Sequence, residues 1–371
     1  MKKLATVVSA AALFAAAVIP AIGAGNNCSS DTTGPFSTNY CTVNNSSNVT
    51  VTNTNTANVN NDVTARSNSG NNSASYNTLG GAITTGNATL NATVGTVANI
   101  NTTTVSGGPA GSSNNGSNSI TGPYSDNRAT FNNLQTVTVN NVNEATVNNT
   151  VNVTADSGSN LADYNTGPAS VATGNSRLGL AVNNHLNDSA TGISAGAGGT
   201  GGNSGANSTT GPFSTDYVTI NNTATATVTN PNTLYLDNIV DALSRSGNNS
   251  ASYNTLGGEI GTGSAGAGVG INNEGNISTT TVQMAMGGFA NDGSNGVTGP
   301  YSDNRLTLLN TLGITVTNPN TSTVNNTDND TADSGSNVSD YNTGGGGVMA
   351  GLSDLVKSIL NHLNDSLTVI Q

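Results

Sequence analysis

Charge is scarce in this chain. Asp, Glu, Lys and Arg make up 8% of its residues, against about a quarter in an ordinary globular domain. Trp is absent, there are five Phe, and the hydrophobic fraction is 34%. That supply argues against one large core in 371 residues, and so against a conventional enzyme. Beyond Lys2 and Lys3 the basic side chains are Arg66, Arg128, Arg177, Arg245, Arg305 and Lys357, and the net charge is −12. Six scattered cations do not release counterions from a phosphate backbone, which excludes nucleic acid as a partner and disfavours anionic membranes. Low hydrophobicity produces disorder when it comes with high charge, and here it does not.

Asn (about a sixth of the chain), Thr and 46 Gly fill the space instead. They are organised in repeats. Gly34, Gly122, Gly211 and Gly299 each open a Gly-Pro-Phe/Tyr motif at intervals of 88, 89 and 88 residues. Tyr76, Tyr164, Tyr253 and Tyr341 close a second motif at the same intervals. The copies alternate in type. Residues 69–81 and 246–258 are identical, as are 122–128 and 299–305, and 184–189 and 361–366. The division read from this is 1–24 leader, 25–119 leading segment and first repeat, 120–208 second, 209–296 third, and 297–371 fourth.

The leader has two lysines, an apolar run from Leu4 to Ala24 and a polar continuation at Gly25-Asn26-Asn27. These are the parts of a secretory signal peptide, and they imply a secreted or cell-surface protein. No later stretch approaches the ~20 apolar residues of a transmembrane helix, so no such segment is expected in the mature chain. Outside the cytoplasm Cys28 and Cys41, the only cysteines, are expected to pair. The counterparts of Cys41 are Ala129, Val218 and Leu306. The slot therefore faces inward, and the bridge is expected to tie the leading segment over the end of the first repeat.

Strict alternation of β-branched and polar residues at 49–56, 136–139 and 314–317 predicts half-buried strands. Short strands fit 82–84 and 94–100, and the Gly/Asn/Ser-rich stretches 106–119, 193–208 and 287–297 read as loops or linkers. The expected fold is all-β: a repetitive, parallel β-helix-like solenoid of four repeats of about 88 residues. A solenoid needs only a thin apolar column, and Asn side chains stack along it in amide ladders. Four small β-sandwich modules in tandem are the alternative. At the C-terminus Met349, Leu352, Val356, Ile359 and Leu363 recur at spacings of three and four. That stripe predicts an amphipathic helix capping the last repeat.

Chemistry-bearing residues are sparse. Tyr76, Tyr164, Tyr253, Tyr341, Tyr124 and Tyr301 either form a structural ladder or stack on glycans. Asp156, Asp163, Asp333 and Asp340, with Asp126, Asp188, Asp303 and Asp365, are the candidates for Ca²⁺, the one cofactor considered; turn carboxylates more often cap their own backbone. His185 and His362 have no accompanying nucleophile. Threonines 223, 225, 227 and 229 alternate along one strand. Nothing here composes a catalytic site.

Gly-Asn-Asn-Ser-Ala-Ser-Tyr-Asn-Thr at 70–78, followed by residues 80–88, resembles the Asn/Thr/Gly-rich repeats of secreted proteins from small-genome candidate-phylum bacteria. More loosely, Gly-Asn-Asn-x-Ala is similar to the curlin repeat, though the period is longer and the Gln ladder is missing. The resemblance implies surface location and supplies no functional residues. The expected function is that of an exported structural or adhesive repeat protein, touching cell-surface or matrix components, glycans or its own copies through many weak contacts. A carbohydrate-binding or carbohydrate-cleaving solenoid is the alternative.

Overall fold

The structure, a computed structural model, describes residues 2–18, 26–106, 114–196, 203–285 and 291–371. Every regular element among them is a strand. Strands of the repeats pair with partners one period away in the chain, 88 or 89 residues on. Thr38–Asn68 pairs in parallel with Asp126–Asp156, Thr38 opposite Asp126 and Asn68 opposite Asp156. Asp126–Asp156 in turn pairs with Thr215–Thr229 and Asn232–Arg245, and these pair with Asp303–Thr317 and Asn320–Asp333. The offset between partners is one repeat. Each repeat is thus one rung of a parallel solenoid, and the tandem-sandwich alternative falls because the hydrogen bonds run between repeats.

A rung is a flattened loop. Its first long strand (38–68 in the first rung) faces a return strand, Ala88–Ser106, with a tight bend and the short strand Gly81–Thr84 between them. The return strands stack likewise: Ala88–Ser106 with Ser176–Leu186 and Ser189–Gly196, then Ala265–Gly275 and Ser278–Ala285, then Ser353–Leu363 and Ser366–Ile370. Period-2 alternation puts one set of side chains between the two walls. Val151, Val153 and Val240 meet Leu90, Val94, Leu180, Val182 and Ile271 in the largest apolar cluster. The core is a thin column, which is why so few large apolar residues suffice.

Asn occupies much of the remaining interior. Asn61 donates to Asn149 Oδ1 (2.7 Å), Asn149 to Asn238 (2.7 Å) and Asn238 to Asn326 (2.7 Å). Comparable amide columns run through 53–141–230–318 and 55–143–232–320. An amide carries both donor and acceptor, so the same residue repeated at rung spacing satisfies its neighbours above and below.

Cys28 and Cys41 are bridged, with Cα atoms 5.9 Å apart. Cys41 lies in the Ala129–Val218–Leu306 column as expected. The bridge differs from expectation in its placing: it joins two strands of one rung, Asn27–Thr33 and Thr38–Asn68, rather than lying over the rung's end. The column of Cys28 explains the choice. Its counterparts are Gly116, Gly205 and Gly293. A Cβ at these glycines would meet Phe131 at 2.7 Å, Val218 and Leu306 at 2.8 Å, and Leu306 at 2.0 Å. Upper rungs fill the space with a large residue facing Gly, and the first fills it with a disulfide.

Two expectations are corrected. The stretches read as linkers carry strands where they are described: Asn115–Thr121, Asn203–Thr210 and Asn291–Asn295 form a sheet with Asn27–Thr33. Their Asn and Ser side chains supply the rung-to-rung bonds that larger residues supply elsewhere, as from Asn118 to Asn207 and from Asn207 to Asn295, both 3.0 Å. The C-terminal segment is also no helical cap. Ser353–Leu363 is a strand on Ala265–Gly275. A helix there would leave that strand's outer N–H and C=O groups unpaired, whereas the strand satisfies them. Leu355, Ile359 and Leu363 consequently point to the interior columns of Ala267, Ile271 and Gly275, and Val356 and Leu360 are exposed on the outside.

The leader, residues 2–18, pairs in parallel with Ala88–Ser106, Lys2 opposite Thr89 and Val18 opposite Ser106. It lies on the first rung's edge, the side away from the second. The apolar residues between Val18 and Asn26 fall outside the described residues.

Candidate functional site

Three groups of side chains stand out: the aromatic columns, an arginine–tyrosine column, and a charged cluster in the last rung.

The tyrosines proposed as a ladder form two. Tyr76, Tyr164, Tyr253 and Tyr341 stack face to face with centroids 5.1, 4.8 and 4.8 Å apart. Phe36, Tyr124, Phe213 and Tyr301 stack at 5.2, 5.0 and 5.1 Å. All eight have positive φ, 57–62°, a region that bulky residues rarely enter. The Gly-Pro-Phe/Tyr-Ser turn imposes this in the Phe36 column. Pro suits the second position of a type II turn, whose third position requires φ > 0. The Ser hydroxyl closes the turn, Ser125 donating to Gly122 O at 2.8 Å. Stacking offsets the strain. Replacing Tyr164 separates the two terms: Tyr164→Gly removes two ring contacts but relaxes φ, and Tyr164→Ala loses the same contacts while keeping the strain. Urea unfolding should therefore show Tyr164→Gly to be more stable than Tyr164→Ala by about 1 kcal/mol, the reverse of the usual Gly/Ala order. The inner rings use their faces on one another and present edges, so faces open to a sugar remain only at the terminal rungs.

The second column alternates residue types. Arg128 lies between the rings of Tyr40 (5.3 Å) and Tyr217 (5.2 Å), and Arg305 lies 5.3 Å from Tyr217. Tyr40 donates its hydroxyl to Asp126 and Tyr217 to Asp303, at 2.5 and 2.7 Å. Arg128 and Arg305 pair with the same carboxylates at 2.9 and 3.0 Å. The guanidinium and hydroxyl hold the Asp303 carboxyl below the usual carboxylate range. Each planar guanidinium has two faces to offer. Arg128 has both covered, and Arg305 has one.

Asp156, Asp333 and Asp163 serve the backbone. Asp156 and Asp333 accept from Gly158 N and Gly335 N at 2.9 and 2.8 Å. Asp163 accepts from Ser250 Oγ and Ser252 N. Asp340 lies in the same column as Asp163, with Ser252 between them. The structure does not gather the Ca²⁺ candidates, and no cluster of three His, Cys, Asp or Glu suited to a metal occurs among the described residues. His185 sits between Asp188 (2.5 Å) and Glu274 (3.0 Å), and His362 pairs with Asp365 and Glu274. Burial raises the Asp188 carboxyl against the lowering effect of His185. The threonines align further than their sequence spacing indicates, since Thr50, Thr138, Thr227 and Thr315 share one column.

The charged cluster escaped sequence reading. Asp328 and Asp330 lie in the interior columns of Val240 and Ala242, and Lys357 in that of Val269. Lys357 Nζ is 3.4 Å from Asp328 and 3.3 Å from Asp330, whose side chains are 5% and 0% exposed. Aligning the repeats residue by residue would have exposed charges in apolar columns. Burial first, then Asp328, pushes the Asp330 carboxyl up to about 6, against the lowering effect of Lys357. A raised carboxyl binds its proton more tightly folded than unfolded, so this group's contribution to stability grows as pH falls from about 7 to about 4. Thermal melts should show a higher midpoint at pH 5 than at pH 8, with Asp330→Asn diminishing the difference. A wild-type-like pH dependence in that variant would locate the effect elsewhere.

Compared with protein-family models, with curated proteins and with solved structures, the chain matches none.

Proposed function

We propose that the chain is an exported structural or adhesive protein of the cell surface, a short polar β-rod acting through many weak contacts. The observation that carries this reading is the continuous rung-to-rung pairing of both walls, which makes a stiff body whose outer face repeats the same side chains at fixed intervals. Such a surface gains by avidity without any strong single site. The leader and the disulfide support export, and no helix among the described residues is long and apolar enough to cross a membrane. Catalysis finds less support: the carboxylates described above cap turns or pair with Arg, His or Lys357, and a groove of about 680 Å³ lined by Gly80, Gly257, Gly345, Leu79, Leu256 and Pro168 holds a single carboxylate, Glu259. Antibody raised to the folded chain should label intact producing cells, and the purified chain should release no reducing sugar from a glycan panel. Signal confined to broken cells, or turnover of any glycan, would sink the reading.

A further inference from the structure

The rod's two ends match each other. Strands of the first and fourth rungs lie at opposite borders of their sheets, each leaving a backbone edge unpaired on one side except Ala88–Ser106, whose outer edge carries the leader strand. Repeats one and three are alike, as are two and four, so a first rung set on a fourth would reproduce the junction already present between rungs two and three. At that internal junction Tyr217 covers Arg128, Phe213 stacks on Tyr124 and Asn238 accepts from Asn149. The fourth rung offers Arg305, Tyr301 and Asn326 in these places, and the first offers Tyr40, Phe36 and Asn61. The terminal aromatics Phe36 and Tyr301 are 76% and 83% exposed, against 54% and 47% for Tyr124 and Phe213 between them.

We propose that the fourth-rung face takes the first-rung face of a second copy, its Tyr40 seated on the open side of Arg305, and that the leader strand on Ala88–Ser106 blocks this until it is removed. The inference rests on the reading of the chain as a structural rod and adds how rods join. The contact is heterologous and continues the rung-on-rung stacking along one axis, so copies add into an open filament. Leader residues 2–18 occupy the return-strand part of the first-rung edge, where the second copy's Ser353–Leu363 and Ser366–Ile370 would have to pair. The cluster at Lys357 sets a condition. Docking places it under Val63, Ala65 and Ala92 of the next copy, which carry no charge. The charged groups facing Asp330 are then Asp328 and Lys357 of its own chain. Two acids against one base leave an excess negative charge to be buried, so docking takes up a proton and is favoured as pH falls toward about 6, where Asp330 of the undocked chain is itself half protonated.

The test uses the full chain carrying a protease site inserted after Gly25, folded and then cut. Uncut chain should sediment as a monomer. Cut chain should form filaments with a repeat of about 4.8 Å along the axis, at a lower critical concentration at pH 5 than at pH 8. Tyr40→Ala and Arg305→Glu should each raise that concentration about tenfold or more with unchanged circular dichroism. Because each variant spoils a different end, their equimolar mixture should yield dimers and nothing longer. Arg305→Lys, which keeps the charge, should assemble better than Arg305→Glu. Cut chain that stays monomeric, filaments indifferent to both variants, or a mixture that assembles no differently from either variant alone overturns the proposal. Uncut chain that assembles as readily as cut chain overturns the blocking role of the leader. Surface labelling tests the functional reading independently of each of these results.

Discussion

Gly158→Ala should destabilise the protein by about 3–5 kcal/mol, among the largest effects of any single methyl addition. Gly158 has φ +90°, and a Cβ built on it would lie 1.7 Å from the carbonyl oxygen of Gly70 in the rung below. Neither atom belongs to a flexible side chain. The rungs must spread locally, at the expense of the backbone bond from Ser69 N to Asp156 O and its neighbours. Gly70 is the control. It stands in the same column with φ +105°, but its Cβ would meet nothing nearer than the Asn72 side chain at 3.8 Å. Gly70→Ala should therefore show only the cost of the left-handed conformation, about 1–2 kcal/mol. Urea midpoints of the two variants measure the difference. Equal losses would mean that φ strain alone, and not rung contact, governs this column.

Asn149→Leu should cost about 2–4 kcal/mol although Leu is the more hydrophobic residue. Asn149 is 1% exposed. It accepts from Asn61 at 2.7 Å and donates to Asn238 at 2.7 Å and to Asn184 at 3.1 Å. Leu ends all three bonds. Asn61 keeps Thr96 Oγ1 at 2.9 Å, but the buried Asn184 oxygen loses its donor. Asn132 provides the comparison. It also sits in an amide column, donating to Asn44 and accepting from Asn221 at 2.8 and 2.9 Å, but on the outer face. There water substitutes for a lost partner, and Asn132→Leu should change stability by less than about 1 kcal/mol. If both substitutions prove equally mild, the interior amide columns fill space and do not hold the rungs in register.

Much of this fold is written in local pattern. Alternation at Val49–Thr56 and Thr136–Val139 marks strands because a pleated chain sends successive side chains to opposite sides, and the 88- and 89-residue intervals return as the hydrogen-bonded offsets between rungs. The Cys28–Cys41 pair and the inward slot of Cys41 follow from the apolar counterparts of Cys41, and the two aromatic ladders from recurring tyrosines. Other features depend on what lies one repeat away. The stripe from Met349 to Leu363 satisfies helical spacing as well as it satisfies a strand, and the open edge of Ala265–Gly275 decides between them by offering hydrogen bonds. Lys357, Asp328 and Asp330 lie as many as 29 residues apart in the chain, and only the facing of the two walls brings them together. Arg128 reads as a surface cation until the rungs above and below place tyrosine rings on both its faces. Period and polarity are local properties of a strand, so the sequence by itself determined the rung. Which side chains meet between rungs and between walls depends on contacts across tens of residues, and the tertiary structure alone decided them.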